Sequence, residues 1–426
     1  MLKYMTRLLA IAFVSNSISA PVVANERTGS PQTEEADVIA YVGARWLDLS
    51  KEDTVWSSGD RYSVNGVFVG DPPSAPVRIV DLYGRWIVPP LSDTHNHSVE
   101  GVWSQDTAAA LVRQGVFYYR NPSNVASEAN ANGAYWARAD TLDVTFSHGA
   151  FTNAGDHPEP LYRRLAGLYR IEPDELDGRA FYVMPDVPTL DRRWSDVLAD
   201  DPDFIKIILL NSNGADGASI GGLPAHVGRR AVELAHASGL RVMAHTWTAG
   251  DVETALRIGA DEVAHLPGYQ WGSLGRESFV INDELARDLK NHGTVMNTTT
   301  VVASDEDDSW RDADWQPNPV QKLQRENLKR LIHHGVTLAI GTDQSRPTID
   351  EVDYLRALGV MDDTDLLWTW FRGAGLIFPH RKLGFEPGDE ASFLALSCDP
   401  FADFDCIRTP MHLEKQGVAI SQGTEP

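Results

Sequence analysis

Four histidines and one aspartate lie where apolar segments of the sequence end. They are His95, His97, His245, His265 and Asp343. His95 and His97 are two residues apart, so in a strand both imidazoles point to the same face and can reach one point. Imidazole and carboxylate groups are ligands that Zn²⁺ and similar ions accept. The four segments therefore predict a metal site if the fold brings their ends together.

Lys206 interrupts the apolar segment Phe204–Leu210. A buried ammonium is costly unless it is paired or neutralised, and burial lowers the pKa of an amine. A neutral lysine amine can react with carbon dioxide to form a carbamate, an anion that can bridge two metal ions. Alternatively, the side chain reaches the end of the strand or pairs with a carboxylate. The sequence does not decide between a carbamate and an unmodified amine at Lys206.

The segments that carry these residues alternate with amphipathic helices. From residue 204 onward, the order strand, loop, helix, glycine, strand recurs. This alternation predicts parallel βα units. The predicted strands are 204–210, 241–246, 262–267, 294–301 and 337–342. The predicted helices are 226–238, 252–258, 283–291 and 319–334, and Asp251 is the predicted cap of the second helix.

Earlier strands bring the total to about eight. The candidates are 86–90, 115–120 and either 144–147 or 181–184. Eight such units close a (β/α)8 TIM-like barrel, in which the carboxyl ends of the strands meet at one mouth that carries the functional site. The predicted fold class is therefore α/β, and the candidate ligands are expected at the mouth of the barrel.

Short strands without helical periodicity flank the predicted barrel. Residues 38–42, 63–69 and 77–81 precede it, and 391–396 follow it. We expect both chain ends to pair in one small β-sandwich. The predicted domains are the barrel, residues 89–381, and the sandwich, residues 25–88 plus 382–426.

The ordered motifs resemble those of the amidohydrolase superfamily, in its imidazolonepropionase-like and prolidase-like branch. The resemblance covers about residues 37 to 410, and the segment 383–396 resembles the return of the chain into the small sandwich of that family. The motifs that carry it are Asp93-Thr-His-Asn-His, Asp203-Phe-Ile-Lys-Ile, Ala244-His-Thr, Glu262-Val-Ala-His and Gly341-Thr-Asp.

The resemblance implies a site with two divalent metal ions, expected to be zinc. The ligands it implies are His95, His97 and Asp343 for one ion, His245 and His265 for the other, and carbamylated Lys206 as the bridge. A hydroxide between the ions would attack the scissile carbonyl, and Asp343 would move its proton to the leaving nitrogen. Asp93 is expected to support an imidazole.

The resemblance also predicts the reaction, which is hydrolysis of a carbon–nitrogen bond in an amide, a cyclic amide or an Xaa-Pro dipeptide. Two departures from the family pattern concern the substrate. Gln344 stands where relatives more often have a small residue, and Asn121 stands where Asp is commoner. Candidate substrate contacts are His148, His157, Trp247 and Tyr269, with packing in a loop or in the core as the alternative for each.

Two other functions stay open at this point. A mononuclear deaminase of similar fold usually has a Glu three residues after the histidine of the fifth strand, where this chain has Thr248. A ligand-binding protein of the periplasm could keep the barrel without catalysis. The complete ligand set favours the hydrolase over both.

Composition limits the partners. The chain has 426 residues with 37 Lys and Arg against 60 Asp and Glu, a net charge of −23, so it repels phosphate backbones and nucleic-acid binding is not expected. No apolar run is long enough for stable membrane insertion. A small molecule or a dipeptide is the expected partner, and the sequence leaves a homo-oligomer open.

The N-terminus has the pattern of a secretory signal. Lys3 and Arg7 precede a short apolar stretch, and small residues end at Ala24. Residues 1–24 are therefore predicted to be removed, with the mature protein in the bacterial periplasm or outside the cell. In that oxidising environment Cys398 and Cys406 could form a disulfide or stay as two buried thiols, and their spacing does not decide between these states.

Overall fold

The structure is a computed structural model that describes residues 37–51, 54–74, 77–210, 221–269, 271, 274–304, 308–343 and 346–421. The predicted signal peptide lies outside these residues. Among the described residues, no helix combines the length and the apolar content that a membrane span requires. The fold is a mixture of helices and strands with parallel sheets.

The described elements are numbered in chain order. The strands are β1 (Val38–Val42), β2 (Arg45–Leu47), β3 (Trp56–Ser58), β4 (Arg61–Val64), β5 (Val67–Val69), β6 (Arg78–Asp81), β7 (Trp86–Val88), β8 (Leu91–Asp93), β9 (Val116–Asn121), β10 (Asp143–Phe146), β11 (Ala150–Thr152), β12 (Phe181–Val183), β13 (Ile205–Ile208), β14 (Val242–His245), β15 (Glu262–Ala264), β16 (Val295–Asn297), β17 (Leu338–Ala339), β18 (Phe393–Leu396), β19 (His412–Lys415) and β20 (Val418–Ala419). The helices are α1 (Gln105–Arg113), α2 (Ala126–Ala131), α3 (Gly133–Trp136), α4 (Glu159–Tyr169), α5 (Val187–Ala199), α6 (Ala225–Ala237), α7 (Ala249–Ile258), α8 (Asp283–His292), α9 (Pro319–His333), α10 (Thr348–Leu358) and α11 (Asp363–Ile377). Short 3₁₀ segments include Arg276–Phe279 and Thr300–Ala303.

Two parallel sheets carry the strands that were predicted to hold the site, except the predicted strand 86–90. Its residues form β7 in a different sheet, and β8 takes its place at the start of the series. One has the order β10-β9-β8, and the other has the order β12-β11-β13-β14-β15-β16-β17. From β13 to β17 the chain alternates strand and helix, as predicted. Both candidates for the third strand form, since β10 and β12 cover the two alternative segments.

Backbone hydrogen bonds connect these two sheets in two places. The N–H of Asp203, just before β13, donates to the carbonyl of Phe146 at the end of β10, at 2.9 Å. The N–H of Thr94, just after β8, donates to the carbonyl of Ile340, just after β17, also at 2.9 Å. The first and last strands of the βα series are therefore neighbours.

Two further sheets combine both ends of the described chain. The six-stranded sheet has the order β20-β19-β18-β7-β2-β3, so strands from residues 45–88 pair with strands from residues 393–419. The four-stranded sheet has the order β5-β4-β1-β6. Aromatic side chains pack between the sheets: the Phe393 ring of β18 lies 5.0 Å from the Tyr41 ring of β1 and 5.3 Å from the Trp46 ring of β2.

Local sequence explains where two predictions of boundaries fail. The predicted strand 63–69 is two strands, because Asn65 and Gly66 both have positive φ and form the tight turn that Asn-Gly favours between antiparallel strands. Asp251 is not a helix cap. Thr248 is the cap of α7, and its hydroxyl accepts from the Asp251 N–H while the Asp251 carboxylate accepts from the Thr248 N–H.

The strands that precede the site are shorter than predicted. The predicted strand 294–301 ends at Asn297, after which Thr300–Ala303 form a 3₁₀ turn. The predicted strand 337–342 contains only the two strand residues of β17. These strands end early because the chain turns to place polar residues at the ends of the strands.

Cys398 and Cys406 are joined by a disulfide, with 5.7 Å between their Cα atoms. The sequence had left this pairing open. The bridge closes a short loop directly after β18.

The aromatic contact between the two flanking sheets yields a stability prediction. Phe393 is fully buried, and the Phe393→Ala variant removes its contacts with Tyr41 and Trp46. We expect a loss of about 3–5 kcal/mol in the free energy of unfolding, measured by urea denaturation. The control is Tyr83→Ala, since Tyr83 is 84% exposed. Equal losses in the two variants would contradict a packed interface at Phe393.

Candidate metal centre

The six predicted metal ligands come from five parallel strands or from the residues that follow them. They are His95 and His97 after β8, Lys206 in β13, His245 at the end of β14, His265 after β15 and Asp343 after β17. Because these strands are parallel and adjacent, their carboxyl ends lie on one side of the sheets.

Asp343 lies beside the two histidines that follow β8. Its Oδ1 atom is 2.9 Å from His95 Nε2 and 3.2 Å from His97 Nε2. One donor atom from each of these three side chains lies within 4.8 Å of the others, close enough for a shared metal ion. His95 is fully buried and the His97 side chain is 38% exposed, so the trio connects the interior with solvent.

His245 and His265 extend this trio. Their ring centroids are 4.5 Å apart, and the His265 centroid is 4.8 Å from that of His95. His265 Nδ1 lies 3.8 Å from Asp343 Oδ2. The structure thus brings four imidazoles and one carboxylate together, and we call these five residues the ligand cluster.

Lys206 is buried in the interior beside the ligand cluster. It is 2% exposed, and its Nζ donates a weak hydrogen bond to the sulfur of Met243 on the neighbouring strand, at 3.6 Å. Burial lowers the pKa of Lys206 to about 7, against the opposing charges of Asp343 and Glu262. A substantial fraction of this amine is therefore neutral near pH 7, as reaction with carbon dioxide requires.

The charge states of the ligand cluster suit a cation. Burial lowers the pKa of His265 to about 4 and lowers the pKa values of His95 and His245 well below the usual value. Burial alone would raise the pKa of Asp343, but the neighbouring imidazoles of His265, His95 and His97 hold it well below its usual value. Neutral imidazoles and an ionised carboxylate are the forms that bind metals.

Hydrogen bonding also fits a metal ion. The Nδ1 atom of His95 is buried and makes no hydrogen bond to a described residue, whereas the Nε2 atom faces Asp343 Oδ1 at 2.9 Å. A buried polar atom without a partner costs about 1–3 kcal/mol, which a bound cation would remove. His97 Nδ1 contacts the carbonyl of Ser123 at 3.3 Å, the kind of outer contact that orients a ligating imidazole.

The backbone is strained around the ligand cluster. His265, Thr299 and Asp343 have φ values of 75°, 42° and 59°. Residues other than glycine rarely adopt such angles, which cost about 1–3 kcal/mol each and persist where the surroundings hold them. All three residues follow strands of the seven-stranded sheet, at the edge that carries His245, His265 and Asp343.

Asp93 has a different role from the predicted one. Its carboxylate accepts hydrogen bonds from the His95 N–H, from Asn96 Nδ2 and from the hydroxyls of Thr342 and Thr348. None of these partners is an imidazole, so the expectation of imidazole support is wrong for the described contacts. Asp93 instead holds the backbone after β8 against the segment after β17, because four donors already occupy its oxygens.

A buried ion pair within the strands was missed from the sequence. Arg120 of β9 and Glu262 of β15 are 3% and 2% exposed, and Arg120 Nη1 lies 2.5 Å from Glu262 Oε2. Asn297 of β16 donates to the same Glu262 oxygen at 3.3 Å. The available signal was the one used for Lys206, a charged residue within an apolar strand segment.

Two of the four candidate substrate contacts lie beside imidazoles of the ligand cluster, and the other two make packing contacts. The His157 ring lies 4.9 Å from that of His245, and the Tyr269 ring lies 5.7 Å from that of His265. Trp247 is buried and packs on Phe279. His148 is buried too, where it stacks on Phe146 and hydrogen bonds with Asn124, and these contacts favour a packing role.

Solved structures of the same fold match nearly the whole chain. An amidohydrolase crystal structure has a TM-score of 0.69 at 19% identity, covering 91% of this chain and 100% of that chain. A Xaa-Pro dipeptidase with bound methionine in its active site has a TM-score of 0.68 at 15% identity, covering 91% and 100%. The structure of molinate hydrolase has a TM-score of 0.69 at 18% identity, and the match covers 91% of this chain and 95% of that chain.

Comparisons of the sequence found no relative, unlike the comparison of the structure. No protein-family model matches the chain, and no curated protein sequence matches it. The comparisons therefore confirm the predicted resemblance to amidohydrolase and prolidase structures at the level of the fold.

Proposed function

We propose that this chain, which shares its fold with amidohydrolase and prolidase structures, is a metal-dependent hydrolase that cleaves a carbon–nitrogen bond. The substrate is an amide or cyclic amide, and an Xaa-Pro dipeptide is one candidate. The observation that carries this proposal is the ligand cluster, in which three imidazoles surround the Asp343 carboxylate and the fourth, that of His245, contacts His265, with Lys206 buried beside them. Structures of the same fold named as an amidohydrolase, a Xaa-Pro dipeptidase and molinate hydrolase support it.

We propose that β8, β9, β10 and β13 to β17 close into a (β/α)8 barrel within residues 89–381. The hydrogen bonds from Asp203 to Phe146 and from Thr94 to Ile340 support closure at both joints. Residues 25–88 and 382–426 form the second domain, which the sheet that mixes strands from both ends supports. A closed barrel explains why residues distant in sequence meet at one mouth.

Two divalent ions fit the donors of this cluster. His95, His97 and Asp343 would hold one ion, His245 and His265 would hold the other, and Lys206 as a carbamate would bridge them. Zinc is the expected metal, because imidazole and carboxylate donors suit it. When bound, the ions would lower the pKa of a coordinated water and polarise the scissile carbonyl.

Lys206 must change chemically to act as an anionic ligand. Its neutral amine nitrogen forms a bond to the carbon of carbon dioxide and loses a proton, which yields a carbamate with one negative charge. Burial supports this step because it disfavours the ammonium form, which cannot react. Glu262 also acts on Lys206, as a negative charge that favours the ammonium form, but Arg120 pairs with Glu262 and neutralises that charge.

Asp343 is the proposed proton carrier. Its carboxylate accepts a proton from the attacking water and passes that proton to the leaving nitrogen, so the same group acts as base and then as acid. The neighbouring imidazoles keep it ionised before the reaction. The side chain is 23% exposed, so water and substrate can reach it.

An apolar cluster beside His265 supports binding of an apolar substrate group. The buried residues Ile208, Leu210, Trp247 and Phe279 pack together there, and the partly buried Tyr269 packs against them. Tyr269 and His157 are the aromatic residues closest to ligand imidazoles and are the proposed substrate contacts.

The two alternative functions receive less support. In a deaminase the residue at position 248 would shuttle protons, but the Thr248 hydroxyl accepts the Asp251 N–H as a helix cap. A ligand-binding protein that has lost catalysis is disfavoured because all five members of the ligand cluster are present and lie together. The hydrolase remains the proposal.

We propose that the mature protein is periplasmic or secreted and begins after Ala24. The charged and apolar N-terminal pattern supports this, as does the disulfide. N-terminal sequencing of protein from an exporting bacterium should begin at Asn25. Recovery from the cytoplasm with the N-terminus intact would contradict export.

Metal content tests the bridged site. We expect about two ions per chain in the wild type by plasma mass spectrometry. The Lys206→Ala variant should lose most of this metal, and added formate or acetate should restore part of it by replacing the carbamate. The control is His292→Asn, because His292 is exposed at the end of α8. One ion per chain, unaffected by Lys206→Ala, would contradict the bridge.

Activity tests the reaction class. Zinc-loaded wild type should hydrolyse at least one class among N-acyl amino acids, Xaa-Pro dipeptides and cyclic amides. Asp343→Asn should lower kcat/KM by about 10²–10⁴-fold, because the proton carrier is lost. Lactones and simple esters serve as the comparison set, and turnover of esters alone would rule out the proposed amide cleavage.

A further inference from the structure

His265 has a second polar contact besides the ligand cluster. Its Nδ1 atom lies 2.9 Å from the hydroxyl of Thr299, and both side chains are buried. Thr299 follows β16, the strand that pairs with β15. The hydroxyl therefore reaches the imidazole from the neighbouring strand end.

Thr299 makes this contact in an unfavourable backbone conformation. Its φ and ψ are 42° and 37°, in the left-handed region. For a β-branched residue such angles are a true outlier, so the surroundings must hold them. Nothing about the turn itself demands threonine, since asparagine or glycine would adopt these angles more easily.

Glu351 of α10 holds the backbone directly after Thr299. Its carboxylate accepts from the Thr300 N–H at 2.9 Å, from the Thr300 hydroxyl at 2.7 Å and from the Val301 N–H at 2.7 Å. Glu351 is fully buried, so these bonds face no competition from solvent. This anchor fixes the 3₁₀ turn Thr300–Ala303 and with it the position of Thr299.

We propose that Thr299 is a positioning residue for His265, an inference that rests on the proposed metal site. The Thr299 hydroxyl accepts the Nδ1–H of the neutral imidazole, which leaves the Nε2 lone pair free for a metal ion. Glu351 maintains the strained turn that presents this hydroxyl. Outer hydrogen bonds of this kind fix the tautomer and the orientation of a ligating histidine.

The test compares two substitutions at position 299. Thr299→Val removes the hydroxyl while it keeps the size and the β-branching, and Thr299→Ser keeps the hydroxyl. Thr254→Val is the matched control, because Thr254 is also buried but lies on α7 and bonds the carbonyl of Gly250. Metal-free forms of each variant and of the wild type are titrated with Zn²⁺ by equilibrium dialysis, and thermal unfolding of each metal-free form is recorded.

We expect Thr299→Val to weaken one of the two zinc affinities by about 10–100-fold and to leave the other nearly unchanged. Thr299→Ser and Thr254→Val should match the wild type. Unchanged or higher affinity for both ions in Thr299→Val would overturn the inference. Equal weakening of both ions together with a lower thermal midpoint would also overturn it, since that pattern indicates a merely structural role.

The same titration separates this inference from the proposed function. If the wild type binds fewer than two zinc ions, the binuclear site fails and the role of Thr299 fails with it. If the wild type binds two ions and Thr299→Val binds both as tightly, only the positioning role fails.

Discussion

The Asp343 carboxylate follows the last strand of the βα series and lies within ion-pair distance of imidazoles from the first strand and from a later one. His95 and His97 follow the first strand of that series, His265 follows a later one, and Asp343 follows the last. These contacts can form only if the first and last strands are neighbours, which the Thr94 to Ile340 hydrogen bond shows. The arrangement of the ligand cluster therefore depends on the contact between the first and last strands of the series.

Three buried carboxylates near the ligand cluster have roles that differ from that of the partly exposed Asp343. Asp93 is saturated by amide and hydroxyl donors, Glu262 is paired with Arg120, and Glu351 is saturated by the turn after Thr299. Each of these three acids fixes backbone or strand positions, because its oxygens are already bonded. Asp343 differs from them because its oxygens face imidazoles and its side chain is partly exposed, so it is the carboxylate best placed to bind a cation and carry a proton.

The sequence predicted the parts of the site that follow simple periodicity. The sequence predicted His95 and His97 within a strand, and they instead lie just after β8, but the parallel order of the strands still brings them to the same edge as His245 and His265. Lys206 was identified because a charged side chain within an apolar strand is costly to bury unless it is paired or neutralised. Thr299 and Glu351 gave no such signal, since a threonine after a strand and a glutamate on a helix are ordinary residues. Their roles arise from the turn at Thr299, whose φ angle cannot be read from the sequence. The prediction of a continuous strand over 294–301 left no place for this turn.

Crystals of the metal-loaded protein would test the binuclear site directly. Anomalous diffraction at the zinc absorption edge should show two adjacent peaks per chain, one beside His95, His97 and Asp343 and one beside His245 and His265. The electron density of Lys206 should extend by a carboxyl group between the two peaks. A single peak with a bare lysine amine, or peaks remote from these residues, would contradict the binuclear site.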